Sequence, residues 1–296
     1  MSSRKVRTSG RSKRRPWLKR LPRGAIKITP RDVEIIKAVH SYRFLSTSQI
    51  KRRFFRSKSK ADRRLRRLFD YGFLDRIQLP VTQGRGELLY ALWKQGTHLL
   101  AERLDKTLEE IGWRPKMNKL NPYHLKHELN LNQFRFTLEE AAVTNNEYSI
   151  LLWKQGADLR SPQSRFKPLL KFYWRRSAVI LIPDALFALK GPKGRAFFFL
   201  EIDRATETKP TIFRKKMAHY SAYYKSGTFS KQFSHKKFRV LTVTISQRRL
   251  LSLIQNIKDL DHAPMFWFTT LEHISPDKFF AKIWATPHNS DKLMSL

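Results

Sequence analysis

The fold of the N-terminal part of the chain is decided by residues 59–77, whose sequence is SKADRRLRRLFDYGFLDRI. A helix is predicted from about Ser59 to Tyr71, because its apolar side chains recur at helical spacing and share one face. These apolar positions are Ala61, Leu65, Leu68 and Phe69. The chain then turns at Tyr71-Gly72 and continues into a predicted strand, Phe73–Ile77. The stretch therefore predicts a basic helix followed directly by a β-strand.

The neighbouring elements make this helix the third of a small domain. A first helix is predicted to begin at Thr29-Pro30, with Thr29 as its N-cap, and a second short helix after Ser46. The elements predicted beyond the first strand are a loop at Gln83–Gly86, a strand at Leu88–Leu92 and a helix at Thr97–Leu104. Three helices followed by a β-hairpin is the order of a winged helix-turn-helix, which we predict for residues 26–105.

Basic side chains are concentrated on and before the third helix. Residues 51–67 hold ten Lys or Arg and one acidic residue. A run of charge is usually a solvated face, but such a face mixes both signs, so this segment favours DNA binding. In a winged helix the third helix enters the major groove and the wing loop contacts the backbone. The candidate DNA-binding residues are Arg52, Arg53, Lys60, Arg63, Arg64 and Arg67, with Arg85 in the wing loop.

The charge of the whole chain points to a polyanionic partner. Its 296 residues include 60 Lys and Arg against 24 Asp and Glu, a formal net charge of +36. The first 80 residues hold 25 basic and 5 acidic residues, and the other 216 hold 35 and 19. Such an excess is best compensated by nucleic acid or an anionic membrane. Residues 1–25 are predicted to be a disordered basic arm that follows DNA, a solubilising tail being the alternative.

Several classes of protein are excluded by composition. The chain has no cysteine, so neither a disulfide framework nor a thiolate zinc site is expected. No apolar run reaches the roughly 18 residues that a membrane-spanning helix needs, and no secretory signal is recognisable at the N-terminus. With 41% hydrophobic residues the chain can form real cores, and its length suggests two domains. We therefore expect a cytoplasmic protein that binds nucleic acid and no membrane.

A second domain is predicted for residues 122–296, after a polar connector at residues 106–121. Its helices are predicted at Tyr123–Ala142, Thr211–Tyr224, Gln247–Lys258 and, briefly, near Asp277–Phe280. Its strands are predicted at Ser149–Trp153, Leu169–Trp174, Val179–Ile182, Ala185–Lys190, Ala196–Ile202, Arg239–Ile245, Met265–Thr269 and Lys282–Ala285. A helix, antiparallel strands, a helix and a further strand indicate an α/β sandwich of the restriction-endonuclease-like kind, which makes the fold class α+β.

Carboxylates follow apolar strands at the centre of this domain. Asp184 lies at a bend between two strand segments, and Glu201 follows the apolar run 197–200. Two such carboxylates could hold Mg²⁺, which would activate a water and stabilise charge on a phosphate. This is the pattern of PD-(D/E)XK phosphodiesterases, except that Asp203 stands where a Lys is expected. Lys216 or Lys215 could replace it from the following helix.

The same carboxylates have a purely structural interpretation. A carboxylate at the end of an apolar strand is costly unless it is solvated, paired or bound to metal. Asp184 and Glu201 could therefore pair with Arg204 or other basic residues in a structural network. The residue pattern leaves metal binding and ion pairing open.

The order of several short motifs carries a resemblance to a known family. These motifs are the segment Ile28–Leu104, His127–Asn132, Ile182–Asp184, Leu200–Arg204, Lys216–Tyr220 and Phe238–Thr244. Together they resemble the replication-relaxation family of plasmid and other mobile-element proteins over nearly the whole chain after residue 25. The resemblance implies a bacterial mobile-element or phage-like setting, with the protein associated with a plasmid or the nucleoid.

The resemblance also implies a site and a set of partners. It suggests that Asp184, Glu201, Asp203 and Lys216 form a nuclease-like site, with His127 and Asn132 beside it. The departure at Asp203 is shared by the family. The implied partners are double-stranded DNA and other mobile-element proteins, and a homodimer is left open because no heptad pattern marks a dimerisation helix.

Three functions are compatible with the sequence. The first is a Mg²⁺-dependent DNA endonuclease or nickase that its winged helix targets to DNA in replication, relaxation or transfer. The second is a non-catalytic, sequence-specific DNA binder, such as a replication accessory factor or a repressor with a degenerate nuclease fold. The third, RNA binding, is disfavoured because most aromatic residues lie in apolar, strand-like runs that indicate a core.

Overall fold

A computed structural model describes residues 18–78, 86–156, 159, 170–205 and 210–296 of the chain. The chain divides into two compact units between Asn132 and Gln133. None of the described helices is long and apolar enough to cross a membrane.

The first unit combines helices with a small antiparallel sheet. Its helices are α1 (Pro30–Tyr42), α2 (Thr47–Phe54), α3 (Lys58–Asp70), α4 (Lys94–Leu104), α5 (Leu108–Ile111) and the start of α6 (Pro122–Thr144). Its strands are β1 (Phe44–Ser46), β2 (Leu74–Gln78) and β3 (Leu88–Leu92). The sheet has the order β1-β3-β2, with both pairs antiparallel. The predicted helices and strands of this region are confirmed, and β1 is an addition.

Local sequence signals explain where these helices begin. Thr29 caps α1 in a capping box, in which its hydroxyl accepts from the Asp32 amide while Asp32 accepts from the Thr29 amide. Ser46 and Gln49 form the same motif at the start of α2. Each box satisfies amide groups that would otherwise lack partners at a helix N-terminus. These caps fix the starting points of the two helices that precede α3.

The third helix is held through the apolar face that the sequence predicts. Ala61, Leu65 and Leu68 are fully buried, and Phe69 is nearly so. Burying a large aliphatic side chain is worth about 1.5–3 kcal/mol, so these four positions anchor α3 against the rest of the unit. The opposite side of α3 therefore faces solvent.

The segment predicted as a connector, residues 106–121, is partly helical and belongs to the first unit. It contains α5 and a 3₁₀ turn at Pro115–Asn118. Asn118 donates to the Leu92 carbonyl at 2.9 Å, and the Trp113 ring lies edge-on against Trp93. These contacts attach the segment to β3 and the residue that follows it.

The second unit is built on a large mixed sheet. Its helices are α7 (Pro210–Lys225), α8 (Thr228–Phe233) and α9 (Gln247–Ile257), besides the rest of α6. Its strands are β4 (Ser149–Gln155), β5 (Lys171–Trp174), β6 (Ser177–Ile180), β7 (Ala185–Gly191), β8 (Gly194–Asp203), β9 (Arg239–Thr244), β10 (Phe266–Thr270), β11 (Trp284–Thr286) and β12 (Asn289–Met294). Seven of them form one sheet in the order β12-β11-β10-β9-β8-β7-β4, in which β8, β9 and β10 run parallel.

Helices cover both faces of this sheet. Phe199 on β8, Tyr220 on α7 and Leu250 on α9 belong to one buried cluster, so α7 and α9 pack on the same face. On the other face Phe198 stacks on Phe187, with ring centroids 4.9 Å apart, and Phe134 of α6 lies 5.9 Å from Phe187. Successive strand residues point to opposite faces, which explains why β8 needs apolar residues at consecutive positions.

Three details differ from the sequence-based prediction. The chain near Asp277–Phe280 forms turns instead of a short helix, with Phe279 buried against Phe134 at 5.1 Å. The short helix α8 and the last strand β12 were not predicted. The sheet is also mixed, because β8, β9 and β10 run parallel although mainly antiparallel strands were predicted. The α+β class and most elements agree with the prediction.

Candidate functional site

The exposed side of α3 presents basic side chains. Lys60 and Arg63 are exposed on the helix, and neither has an ion-pair partner among the described residues. Arg67 is half-buried and donates from Nη2 to the Ala25 carbonyl. On α2, Arg52 and Arg53 are also exposed. The candidate Arg85 lies outside the described residues.

Arg64, which the sequence grouped with the DNA-binding candidates, has a structural partner. Its Nε donates to Oδ1 of Asp32 at 2.7 Å, and its Nη2 donates to the Lys27 carbonyl at 2.7 Å. Asp32 is fully buried. Burial opposes the charge on this carboxyl, but the bonds from Arg64 and Thr29 outweigh burial and lower the pKa of Asp32 below its ordinary value. Arg64 therefore ties α3 to the start of α1.

A surface cavity adjoins this ion pair in the first unit. Its volume is about 510 Å³, and its lining is Thr29, Pro30, Arg31, Asp32, Phe55, Lys60 and Arg64. The Arg31 guanidinium lies 5.2 Å from the centre of the Phe55 ring. Arg31 and Lys60 therefore border one concave surface, whose charge suits an anionic ligand such as phosphate.

The carboxylates predicted in the second unit lie on β8 and just before its neighbour β7. Ala185 of β7 pairs with Leu200 of β8, and the Asp184 amide donates to the Leu200 carbonyl at 3.0 Å. Asp184, which immediately precedes β7, therefore lies beside Leu200 and Glu201. Asp203 lies two residues beyond Glu201 and points to the same face of β8. All three carboxylates belong to the face of the sheet that α7 and α9 cover.

Glu201 is buried and holds two partners from α7. Its side chain is 8% exposed, and Tyr220 donates to its Oε1 at 2.5 Å. Lys216 donates from Nζ to Oε2. The Lys216 side chain is 36% exposed, so this pair reaches from the core to the surface. The prediction that a lysine of the following helix approaches Glu201 agrees with this contact.

The environment shifts the protonation equilibria of these groups. Burial raises the pKa of Glu201 to about 7, although the Lys216 ammonium opposes the shift. Partial burial lowers the pKa of Lys216, but the carboxylates of Glu201 and Asp184 outweigh it and raise this pKa overall. Burial and Glu201 raise the pKa of Tyr220 well above its ordinary value. Tyr220 is therefore a neutral hydrogen-bond donor near neutral pH.

This shift predicts a pH-dependent contribution of Glu201 to stability. Its pKa is about 7 in the folded protein and ordinarily 4.5, so between these values the folded protein binds more protons than the unfolded chain. The stabilisation is complete below the lower value and is lost as the pH rises through the upper one. We expect the free energy of unfolding of the wild type, relative to Glu201→Gln, to fall by about 1–3 kcal/mol from about pH 5 to about pH 8. Urea unfolding of both proteins measures this; a difference that does not change with pH would contradict it.

Asp203 is engaged by a different cation. Arg249 donates from Nε to Oδ2 and from Nη2 to Oδ1, both at 2.9 Å. Thr244, which lies opposite Asp203 on β9, donates its hydroxyl to Oδ2 at 2.8 Å. This bidentate pair joins the end of β8 to α9. Asp203 is thus held by Arg249, whereas Lys216 is bonded to Glu201.

The donor groups do not fit Mg²⁺ in this arrangement. Mg²⁺ needs carboxylate or other oxygen ligands in near-octahedral geometry. Both oxygens of Glu201 accept bonds from Lys216 and Tyr220, and both oxygens of Asp203 accept from Arg249. Asp184 accepts the Ile202 amide at 2.7 Å through Oδ2. In the described part of the chain, no group of three or more His, Cys, Asp or Glu side chains could hold a metal ion. Magnesium remains a prediction from the sequence.

Asn132, which was predicted to lie beside the carboxylates, bonds to backbone groups of the first unit. Asn132 is fully buried and donates from Nδ2 to the Tyr42 and Phe44 carbonyls, at 2.9 and 2.7 Å. The amide thus links α6 to the end of α1 and to β1 within the first unit. His127 is a half-buried residue of the same helix.

Two partners of the carboxylates were missed in the sequence. Tyr220 lies four residues after Lys216, so the two side chains share one helix face, and this spacing was a usable signal. Arg249 is 46 residues from Asp203. Only the parallel pairing of β8 with β9 brings α9 to this carboxylate.

A shallow cavity opens beside the Lys216 side chain. Its volume is about 270 Å³, and its lining is Ile180, Leu181, Ile182, Ile212, Lys215, Lys216 and His219. Burial and the neighbouring Lys215 lower the pKa of His219, which favours its neutral form. The cavity therefore combines an apolar floor with lysines.

Comparison with known proteins identifies one family. A family model described as replication-relaxation matches residues 36–240, which is more than half of the chain. The match includes the helix α3 and the carboxylates Asp184, Glu201 and Asp203. No curated protein and no solved structure matches the chain.

Proposed function

This chain belongs to the replication-relaxation family, and we propose that it binds duplex DNA through α3 during replication or relaxation of a mobile genetic element. In this proposal the first unit is a winged helix-turn-helix. Its α3 enters the major groove, and the segment between β2 and β3 is the wing that contacts the backbone. Arg85 belongs to this wing by its position in the sequence.

One observation carries the proposal. Lys60 and Arg63 are exposed on a helix whose other side is fixed by buried apolar residues. A rigid helix that presents cations in one direction can place them against phosphates and base edges without ordering them first. In this proposal Arg64 positions the helix, because its bond to Asp32 holds α3 against α1. Arg52, Arg53 and Arg67 are proposed as phosphate contacts beside the groove.

A selection experiment tests whether α3 reads sequence. A pool of random duplexes is enriched by binding to the wild type and, in parallel, to Lys60→Ala/Arg63→Ala. We expect a common sequence to emerge with the wild type and to be absent or altered with the variant. Enrichment of the same sequence by both proteins would contradict recognition by α3.

DNA cleavage is the second candidate function, with the second unit as a restriction-endonuclease-like sandwich. It is supported by the contacts of Asp184 with Leu200 and Ile202, on either side of Glu201, and by the bond of Lys216 to Glu201. Against it, the oxygens of Glu201 and Asp203 are engaged by side chains of α7 and α9. The geometry therefore supports DNA binding better than cleavage.

A plasmid assay tests whether the protein cleaves DNA at the site of Glu201. Supercoiled plasmid is incubated with Mg²⁺ and either the wild type or Glu201→Gln. Open-circle product from the wild type alone would support cleavage at this site. Equal product from both proteins, or intact plasmid with both, would contradict it.

A further inference from the structure

The strands β5 and β6 form a hairpin of their own in the second unit. Among the residues that the structure describes they pair with each other alone, in a two-stranded antiparallel sheet separate from the seven-stranded one. Phe172 and its partner Val179 point inward, and Phe172 is buried in the cluster that contains α7. The hairpin is thus anchored to the core by one face.

The outer face of the hairpin carries an exposed aromatic ring. Tyr173 is 68% exposed, and its cross-strand partner is Ala178, which is too small to cover the ring. Lys171 is exposed on the same face, with its ammonium 5.6 Å from the centre of the Tyr173 ring. Ile180, the cross-strand partner of Lys171, is 49% exposed on this face as well, so the ring belongs to a small apolar surface beside a cation that a ligand could contact.

The turn of the hairpin holds two arginines in a strained conformation. Trp174 pairs with Ser177, which leaves Arg175 and Arg176 as the two turn residues, with φ values of +47° and +65°. Positive φ at both positions matches a type I′ turn, which strongly prefers Asn-Gly. Two exposed arginines at these positions carry a conformational cost that Asn-Gly would avoid. The turn thus places two cations at the exposed tip of the hairpin, at a conformational cost that other residues would avoid.

We propose that this hairpin is a second DNA contact, and that it binds single-stranded DNA. Tyr173 stacks on an unpaired base, while Arg175, Arg176 and Lys171 bind the neighbouring phosphates. The inference rests on the proposed role in mobile-element replication, but it concerns a site and a DNA form that differ from those proposed for α3.

Chemistry favours this occupant over others. No acidic residue occurs from Leu170 to Pro183, so the segment suits a polyanion. An accessible ring among cations is the combination that binds single strands, because every unpaired base offers a face for stacking. In a duplex the base faces are already stacked on one another. The exposed side chains of Ile180 and Ile182 continue this surface into the cavity beside Lys216, which extends the apolar area open to a base.

The first test measures the stacking contact. Binding to a labelled oligothymidylate and to a labelled duplex is followed by fluorescence anisotropy for the wild type, Tyr173→Ala and Tyr173→Phe. Loss of one stacked base weakens binding about tenfold, so Tyr173→Ala should bind the single strand about tenfold more weakly. Tyr173→Phe, which keeps the ring, should bind it like the wild type. Duplex affinity should be unchanged in both variants.

The second test replaces the two turn residues by residues that should stabilise the hairpin, so that weaker DNA binding could not be explained by a loss of folding. Arg175→Asn/Arg176→Gly introduces the preferred type I′ residues, so we expect a thermal midpoint that is higher by about 2–4 °C. The same variant should bind the oligothymidylate about tenfold more weakly, because two phosphate contacts are removed. A more stable protein with weaker single-strand binding would support the proposal.

The possible outcomes separate this proposal from that for α3. The hairpin proposal would be overturned if Tyr173→Ala bound the single strand as tightly as the wild type does. It would also be overturned if this variant lost the same affinity for the single strand and for the duplex. Lys60→Ala/Arg63→Ala should lose duplex binding and keep the dependence on Tyr173. If Lys60→Ala/Arg63→Ala instead binds the duplex like the wild type, while the single-strand results hold, the proposal for α3 is contradicted and that for the hairpin is not.

Discussion

Replacing Asp32 by alanine is expected to lower the free energy of unfolding by about 3–5 kcal/mol, because it leaves the Arg64 guanidinium without its buried partner. Asp32 is fully buried and accepts from Arg64 Nε at 2.7 Å. It also accepts the Thr29 amide at 2.7 Å and the Thr29 hydroxyl at 2.6 Å, so the same substitution removes the capping box of α1. One side chain thus caps one helix and fixes the position of another.

Urea unfolding followed by circular dichroism measures this loss. The matched control is Glu34→Ala on the same helix, which removes an exposed ion pair with Lys37. This substitution should lower the free energy of unfolding by about 0–1 kcal/mol. Asp32→Asn is expected to fall between the two, because it keeps the shape of the side chain and loses its charge. An Asp32→Ala protein as stable as Glu34→Ala would contradict the structural role of this ion pair.

Removing two cations from α3 is expected to have the largest effect on DNA binding. Each cation in contact with a base edge contributes about 1–3 kcal/mol, so Lys60→Ala/Arg63→Ala should bind its duplex at least about tenfold more weakly. Both side chains are exposed, and the buried positions of the helix are unchanged. The variant should therefore fold like the wild type.

A charge-matched variant separates specific contact from the general attraction of a basic chain. Lys236→Ala/Lys237→Ala removes the same charge from two exposed positions between α8 and β9. Fluorescence anisotropy at physiological salt should show little change in its duplex affinity. An equal loss in the two double variants would mean that net charge, and not α3, governs binding.

Local patterns were sufficient to predict most of the first unit. The buried face of α3, the N-cap residues Thr29 and Ser46, and the strands β2 and β3 depend on neighbouring residues, which the sequence shows directly. Arg64 was predicted as a DNA contact from its charge, and its bond to Asp32 is an addition that its position explains. It lies three residues after Ala61 and four before Leu68, so it borders the buried face and can reach back across it.

The candidate site in the second unit was only partly predictable. Apolar strands that end in carboxylates predicted Asp184 and Glu201 on adjacent strands, and helical proximity predicted Lys216. The partner of Asp203 depends on the parallel pairing of β8 with β9, which brings the helix that follows β9 to the end of β8. Contacts of this kind are set by sheet topology and leave no mark in local sequence.

The ion pairs give the carboxylates a definite structural meaning. Glu201 joins β8 to α7 through Lys216 and Tyr220, and Asp203 joins β8 to α9 through Arg249. Loss of either partner would leave an uncompensated buried charge, which costs more than the intact pair. This account explains the departure at Asp203 without assigning it a catalytic part.

The central claim, that α3 holds DNA with its exposed cations, is tested most directly by the salt dependence of duplex binding. The logarithm of the affinity falls linearly with the logarithm of the salt concentration, with a slope of about 0.9 for each phosphate neutralised. For Lys60→Ala/Arg63→Ala, fluorescence anisotropy over a salt series should give weaker binding throughout, with a slope shallower by about 1 for each of the two cations that contacts a phosphate and not a base edge. Lys236→Ala/Lys237→Ala should keep the wild-type slope. An unchanged slope and affinity in the α3 variant would contradict the claim.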